Sequence, residues 1–218
     1  MNSQSYLLRA RGHKYQNSLI YLNSKVYYDF VKRLADIIIC SVALVITAPI
    51  IIIACLAVVL TSKGSPIFTQ ERLGLWGKKF KIYKIRSMYI DAEANGKPQL
   101  AKVNDQRITP VGRFIRKTRI DELPQLINVI KGDMSIIGPR PEREYFYQEY
   151  SKTLPEFYNR LQVKPGITGL AQVSAGYDIS PEEKLKYDME YIQYRNFLFD
   201  IKIVLKTVVV MVTGRGAI

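Results

Sequence analysis

Two adjacent carboxylates, Asp121 and Glu122, are the residues whose type and setting best suit chemistry. They stand at or just before a helix start, because Pro124 is acceptable only in a first helical turn. Adjacent residues on a helix point about 100° apart, so the two carboxylates would take separate tasks rather than share one proton. A helix N-terminus offers partial positive charge and free N–H groups, which suit a carboxylate and equally suit a phosphate. Basic residues crowd the same stretch: Arg107, Arg113, Arg116, Lys117 and Arg119, then Arg140 and Arg143. Carboxylates among arginines suit a divalent metal and a phosphorylated substrate. The plainer reading is a pair of acids that cap a helix and complement its dipole. Spacing alone favours that one.

What the chain lacks narrows the chemistry further. Its one histidine, His13, lies in a polar N-terminal segment, so a histidine base is an improbable catalyst. Both cysteines, Cys40 and Cys55, fall inside an apolar run, which leaves no disulfide framework or thiolate metal site elsewhere. No GxGxxG or Walker-type glycine loop is present. Lys84-Ile85-Arg86 has the chemistry to bind phosphate, although basic residues alternating on a strand more often form a solvated face. Lys164-Pro165-Gly166 on its own reads as an ordinary turn. The net charge of +13 over 218 residues points to nucleic acid or to anionic phosphates at a membrane surface.

The elements that must position these residues are organised around the run from Leu34 to Leu60, which favours the membrane. No residue from Ile37 to Leu60 is charged. As a helix the stretch would reach roughly 36 Å, beyond the ~30 Å hydrocarbon core of a bilayer. Pro49 divides it into Ile37–Ala48 and Ile50–Leu60, each too short to cross alone. Both flanks are basic: Lys25, Lys32 and Arg33 on one side, Lys63, Arg72, Lys78 and Lys79 on the other. Neither end is therefore marked for translocation, which favours a re-entrant hairpin with both ends in the cytoplasm. A Pro-kinked full span is the competing reading.

Beyond it, Ile67–Thr69 and Lys79–Lys84 read as short strands around a turn at Gly74–Gly77. Residues 91–110 read as a helical turn and a long loop carrying Asn95-Gly96. Leu123, Leu126, Ile127 and Ile130 share one helical face that stops at Gly132. Glu142–Arg160 reads as helical, and Lys164–Gly169 as a turn. Ser180-Pro181-Glu182-Glu183 begins a helix that runs to about Arg195. Phe197–Thr213 reads as an amphipathic helix for the membrane interface, with a soluble-core helix almost as good a fit.

Taken together, Lys32-Arg33 before a broken apolar helix, Gly64–Phe68 (GSPIF), Gln70–Gly74 (QERLG), Phe80–Met88 (FKIYKIRSM), Asp121–Gln125 (DELPQ), Asn128–Pro141 (NVIKGDMSIIGPRP) and Lys164–Gln172 (KPGITGLAQ) resemble the bacterial sugar transferase family, the small monotopic phosphoglycosyl transferases. The resemblance runs from about residue 30 to the C-terminus. It implies an α/β fold, mostly α: a basic arm over 1–30, a re-entrant membrane helix-break-helix over 31–62, and a cytoplasmic catalytic domain over 63–218 with interfacial amphipathic helices. Where the family often has Ser-Pro at the break, this chain has Ala48-Pro49.

The implied activity is transfer of a phosphosugar from a UDP-sugar to a polyprenol phosphate, such as undecaprenyl phosphate, with release of UMP. The implied place is the cytoplasmic face of the bacterial inner membrane, among anionic lipids and without nucleic acid. By the same resemblance Asp121 is the nucleophile that forms a covalent phosphosugar intermediate, and Glu122 holds Mg²⁺. Lys84, Arg86, Arg116, Pro139, Arg140, Lys164 and Gly166 are the implied substrate contacts. A carboxylate is ionised at neutral pH and needs no histidine base to attack. The non-enzymatic alternative is a membrane-anchored basic adaptor for anionic lipid or nucleic acid. It explains the charge and the apolar run but not the dyad. The oligomeric state stays open, a homo-oligomer included.

Overall fold

The computed structural model describes residues 25–93, 98–99, 101, 104–175 and 179–213. Most of the expected arm and the Asn95-Gly96 turn lie outside these residues. The fold is mostly helical α/β.

The apolar run forms one helix, α1 (Val26–Thr61), that starts upstream of residue 31 and carries Pro49 inside it. The expected halves on either side of the proline are thus a single helical element. Apolar side chains can sustain a helix across a proline because only one backbone donor is lost. Val42, Val45, Ile46, Ile50, Ile52 and Ile53 are exposed around the proline. Toward the N-terminal end, Cys40 packs against Phe80, Ile82, Val129 and Met134. Toward the other end, Ala54 and Val58 pack against Ile85 and Ile115. Both ends of α1 therefore dock on the same body.

That body begins with an antiparallel hairpin, β1 (Ile67–Leu73) and β2 (Lys79–Ile85), in register from Ile67 opposite Ile85 to Leu73 opposite Lys79. The turn between them has Trp76 in the left-handed region at φ 55°. α2 (Pro110–Lys117) starts with a Thr109 cap that accepts from the Gly112 N–H at 2.9 Å. A tight turn, Ile120–Glu122, leads into α3 (Gln125–Lys131), which ends on Gly132 at φ 93° as its sequence requires. The face buried by α3 is Gln125, Asn128 and Val129, while Ile127 is exposed.

Two short strands, β3 (Ser135–Ile137) and β4 (Gly166–Thr168), pair in parallel. The Lys164–Gly169 stretch thus holds a strand where the sequence suggested only a turn. α4 (Glu144–Tyr150) and a 3-10 turn over Pro155–Gln162 replace the expected single helix. α5 (Leu170–Ser174) precedes α6 (Pro181–Tyr194), whose Ser180 cap accepts from the Glu183 N–H at 3.2 Å. α7 (Phe197–Thr213) buries Asp200 and Ile203 but exposes Leu198, Ile201, Leu205, Val208 and Val212.

Candidate active site

Lys84 reaches the dyad because of strand parity. Side chains two apart share a face of a strand. Phe80, Ile82 and Lys84 therefore point the same way, and the first two are buried. The strand that packs its apolar residues inward ends by aiming an ammonium into the protein. This corrects the solvated-face reading of Lys84-Ile85-Arg86. The open edge of β2 is closed by Asn128, which accepts from the Tyr83 N–H at 3.0 Å and donates to the Lys81 carbonyl at 2.8 Å. One buried amide thus fixes α3, and the dyad just before it, against the strand.

The dyad sits in the Ile120–Glu122 turn, entered through Arg119 at φ 56°. A left-handed non-glycine residue carries conformational cost, and such residues gather at functional sites. Asp121 is buried and lines a cleft of about 410 Å³, together with Lys84, Arg116, Arg119 and Arg140. Glu122 Oε1 accepts from Lys84 Nζ at 2.8 Å and from Arg140 Nη2 at 2.6 Å. Glu122 Oε2 stands 4.0 Å from Arg119. Arg116 reaches Ser87 Oγ at 3.5 Å.

These surroundings drive the two carboxyls apart. Burial alone would raise Glu122, but Arg140 and Lys84 outweigh it and hold its carboxyl well below the usual range. Asp121 moves the other way: burial pushes it up, Glu122 adds to that, and Lys84, Arg116 and Arg140 only partly oppose. Neighbouring acids with opposed shifts commonly have separate chemical roles.

The other anticipated residues are placed differently. Arg86 also lines the cleft, but its guanidinium donates to the carbonyls of Ser62 at 2.9 Å and Gly64 at 3.2 Å, and to that of Lys63. It secures the exit of α1. Pro139 and Gly166 form a backbone pair, the Gly166 N–H donating to the Pro139 carbonyl at 3.0 Å. A Cβ on Gly166 would stand 2.1 Å from Gly138 N, so the approach of these two loops requires glycine. Their contact positions Arg140. Lys164 is outside the cleft lining, near Arg33 at the end of α3.

The sequence reading missed a charged layer that borders the same cleft beyond Arg140. Arg160 and Asp188 pair at 2.6 Å with side chains 0% and 1% exposed. Glu142 accepts from Lys184 at 2.9 Å and lies 3.6 Å from Arg72. Glu142 stands in the Gly138–Pro141 neighbourhood, but no spacing rule links it to Lys184 or Arg160 to Asp188.

A hard divalent ion is commonly held by one or two carboxylates, with phosphate oxygens and water completing its shell. Glu122 Oε2 suits such a shared site, since Oε1 is engaged by Lys84 and Arg140. Among the described residues no three Asp, Glu, His or Cys side chains cluster into a cage. One carboxylate oxygen would leave the rest of such an ion's shell to phosphate oxygens and water.

The family model described as bacterial sugar transferase matches residues 27–214. A UDP-N-acetylgalactosamine-undecaprenyl-phosphate N-acetylgalactosaminephosphotransferase of Aeromonas hydrophila is 40% identical over 208 residues, or 94% of this chain and 49% of that protein. A UDP-glucose:undecaprenyl-phosphate glucose-1-phosphate transferase of Klebsiella pneumoniae is 42% identical over 182 residues, 81% of this chain and 39% of that protein. A protein of the same name from Caulobacter vibrioides is 40% identical over 198 residues, 88% of this chain and 74% of that one. The chain spans half or less of the first two relatives. At nearly equal identity these relatives are named for different sugars.

Proposed function

The chain belongs to the bacterial sugar transferase family, and from that footing we propose that it moves a sugar 1-phosphate from a UDP-sugar to undecaprenyl phosphate. One observation carries this reading: Asp121 lines a cleft in which Lys84, Arg116, Arg119 and Arg140 converge, beside a Glu122 already held by two of them. An anionic nucleophile and four cations around one cleft suit attack on a diphosphate.

In this account the cations draw the donor's diphosphate into the cleft, and an Asp121 oxygen attacks the phosphorus that carries the sugar. The bond from that phosphorus to the UMP oxygen breaks, and UMP leaves with the electron pair. An oxygen of the lipid phosphate then attacks the same phosphorus and displaces the Asp121 carboxylate. Preorganised arginines and Lys84 stabilise the charge that develops on the transferred phosphoryl group. Glu122 fixes Lys84 and Arg140 through Oε1 and would hold Mg²⁺ through Oε2. That ion would supply charge neutralisation at the diphosphate.

The lipid acceptor requires the cleft to lie at a membrane. Support comes from α1, whose exposed middle is apolar while both its ends pack on one domain. This favours re-entry from the cytoplasmic face of the inner membrane, with the exposed apolar face of α7 lying in the interface. In a background without native cysteines, Ser24→Cys and Lys63→Cys should be equally protected from an impermeant thiol reagent added outside intact cells. Labelling of only one would mean a true span. The adaptor alternative gives the buried dyad no task.

The activity itself is tested by incubating the membrane-embedded protein with undecaprenyl phosphate, Mg²⁺ and a panel of UDP-sugars. At least one sugar should give UMP and a lipid-linked sugar diphosphate. No UMP from any of them, with the protein folded, would contradict the reading.

A further inference from the structure

Arg140 is the arginine that bonds the dyad, yet its main chain belongs to a loop, and loops do not hold a side chain still by themselves. The Pro139–Gly166 contact anchors the loop just before Arg140, and a second anchor is needed at Arg140 itself. Arg160 is placed to supply it. Its side chain is 0% exposed, and its donors go to three different parts of the fold. Nε donates to Asp188 Oδ2 on α6 at 2.6 Å, Nη1 to the Tyr147 hydroxyl on α4 at 3.3 Å, and Nη2 to the Arg140 carbonyl at 2.9 Å. The guanidinium also stands 4.6 Å from the centre of the Phe157 ring. A rigid planar fork among buried partners can locate a peptide group more firmly than a flexible ammonium can.

We infer that Arg160 is a positioning residue for the transfer reaction: locked between Asp188 and Tyr147, it grips the Arg140 carbonyl and so sets the Arg140 guanidinium on the dyad. This rests on the transferase reading above. A buried ion pair can serve stability alone, but stability does not require that one arm end on the carbonyl of the residue bonded to Glu122. A displacement of about 1 Å at a reacting centre can cost on the order of a hundredfold in rate. A clamp one residue removed is therefore worth testing for its effect on turnover.

Arg160→Lys keeps a cation opposite Asp188 but gives up the fork. Its kcat for UMP release should fall on the order of tenfold, with the donor KM changed less than kcat. The same substitution in an Arg140→Lys background should have little further effect, because the side chain that the clamp serves is already replaced. Asp188→Asn, which loosens Arg160 from the far side, should show a smaller kcat loss that also vanishes in that background. If Arg160→Lys does not fold, the Asp188→Asn pair of measurements decides alone. Equal fold-losses with and without Arg140→Lys would overturn the clamp and leave Arg160 a stability element. Absence of UMP release by the unsubstituted protein would overturn the transferase reading, and the inference with it.

Discussion

Two charged clusters meet at Arg140, and they are built to opposite rules. The Arg160–Asp188 pair is closed: both side chains are almost wholly out of solvent and the guanidinium has a partner in each direction. The Glu122 cluster is open on one side, with Arg140 33% and Lys84 19% exposed, and its cations outnumber its acids. In the closed cluster the charges satisfy each other. In the open one they leave positive charge facing a cleft, where burial lifts Asp121 above the usual aspartate range against the pull of Lys84. The difference teaches that burial of charge by itself marks nothing. Cations left in excess and partly exposed at the wall of a cavity mark a site.

Breaking the closed pair should have the largest effect on stability. Asp188→Leu would strand the Arg160 cation in the interior, and unfolding free energy should drop by about 3–5 kcal/mol, readable from denaturant midpoints. Breaking the open cluster should instead act on turnover. Glu122→Gln keeps the shape but gives up the charge-assisted part of its bonds to Lys84 and Arg140, so the melting temperature should drop less than in Asp188→Leu, while kcat falls on the order of a hundredfold and the response to added Mg²⁺ weakens. An equal loss of thermal stability in both variants would erase the distinction between the clusters and return Glu122 to a capping role.

The comparison sharpens with pH. Glu122 and Glu142 have folded-state values below the usual 4.5. Each contributes stability that is present above that value and lost as pH falls through the folded one. Asp121 and Asp188 are raised above 3.8, so their effect has the opposite sign and stability is lost as pH rises through their folded values. Glu122→Gln should therefore flatten the fall of melting temperature below about pH 4.5. Activity should show its own acid limb, at higher pH than free aspartate would give, because Asp121 must be ionised to attack. The smallest effect expected is on α7: Leu205→Glu should loosen association with anionic vesicles without changing the cleft.

What the sequence disclosed was local. The Ser180 cap, the Gly132 stop and the position of Asp121 and Glu122 before α3 follow from turn and cap chemistry within a few residues, and the structure keeps all three. Longer-range facts were out of reach. Nothing within Lys164–Gly169 reveals that Gly166 pairs with Ser135, or that it must stay a glycine for Gly138. Arg86 does line the cleft, but nothing in Lys84-Ile85-Arg86 reveals that it also ties down the end of α1. Lys84 was legible in principle, since Phe80 and Ile82 set the inward parity that it continues. Asn128, hidden among apolar neighbours in Asn128–Ile130, gave no outward sign that it closes a strand edge.

The central claim is that Asp121 itself becomes bonded to the phosphosugar. It is tested by mixing the protein with a UDP-sugar that it turns over and Mg²⁺, leaving out the lipid acceptor, and measuring the intact mass alongside UMP. The account predicts at most about one UMP per active site beyond slow hydrolysis, a mass increase equal to one phosphosugar, and loss of both in a folded Asp121→Asn protein. UMP release that depends strictly on undecaprenyl phosphate, with no adduct at any time, would contradict it and favour direct transfer from donor to lipid.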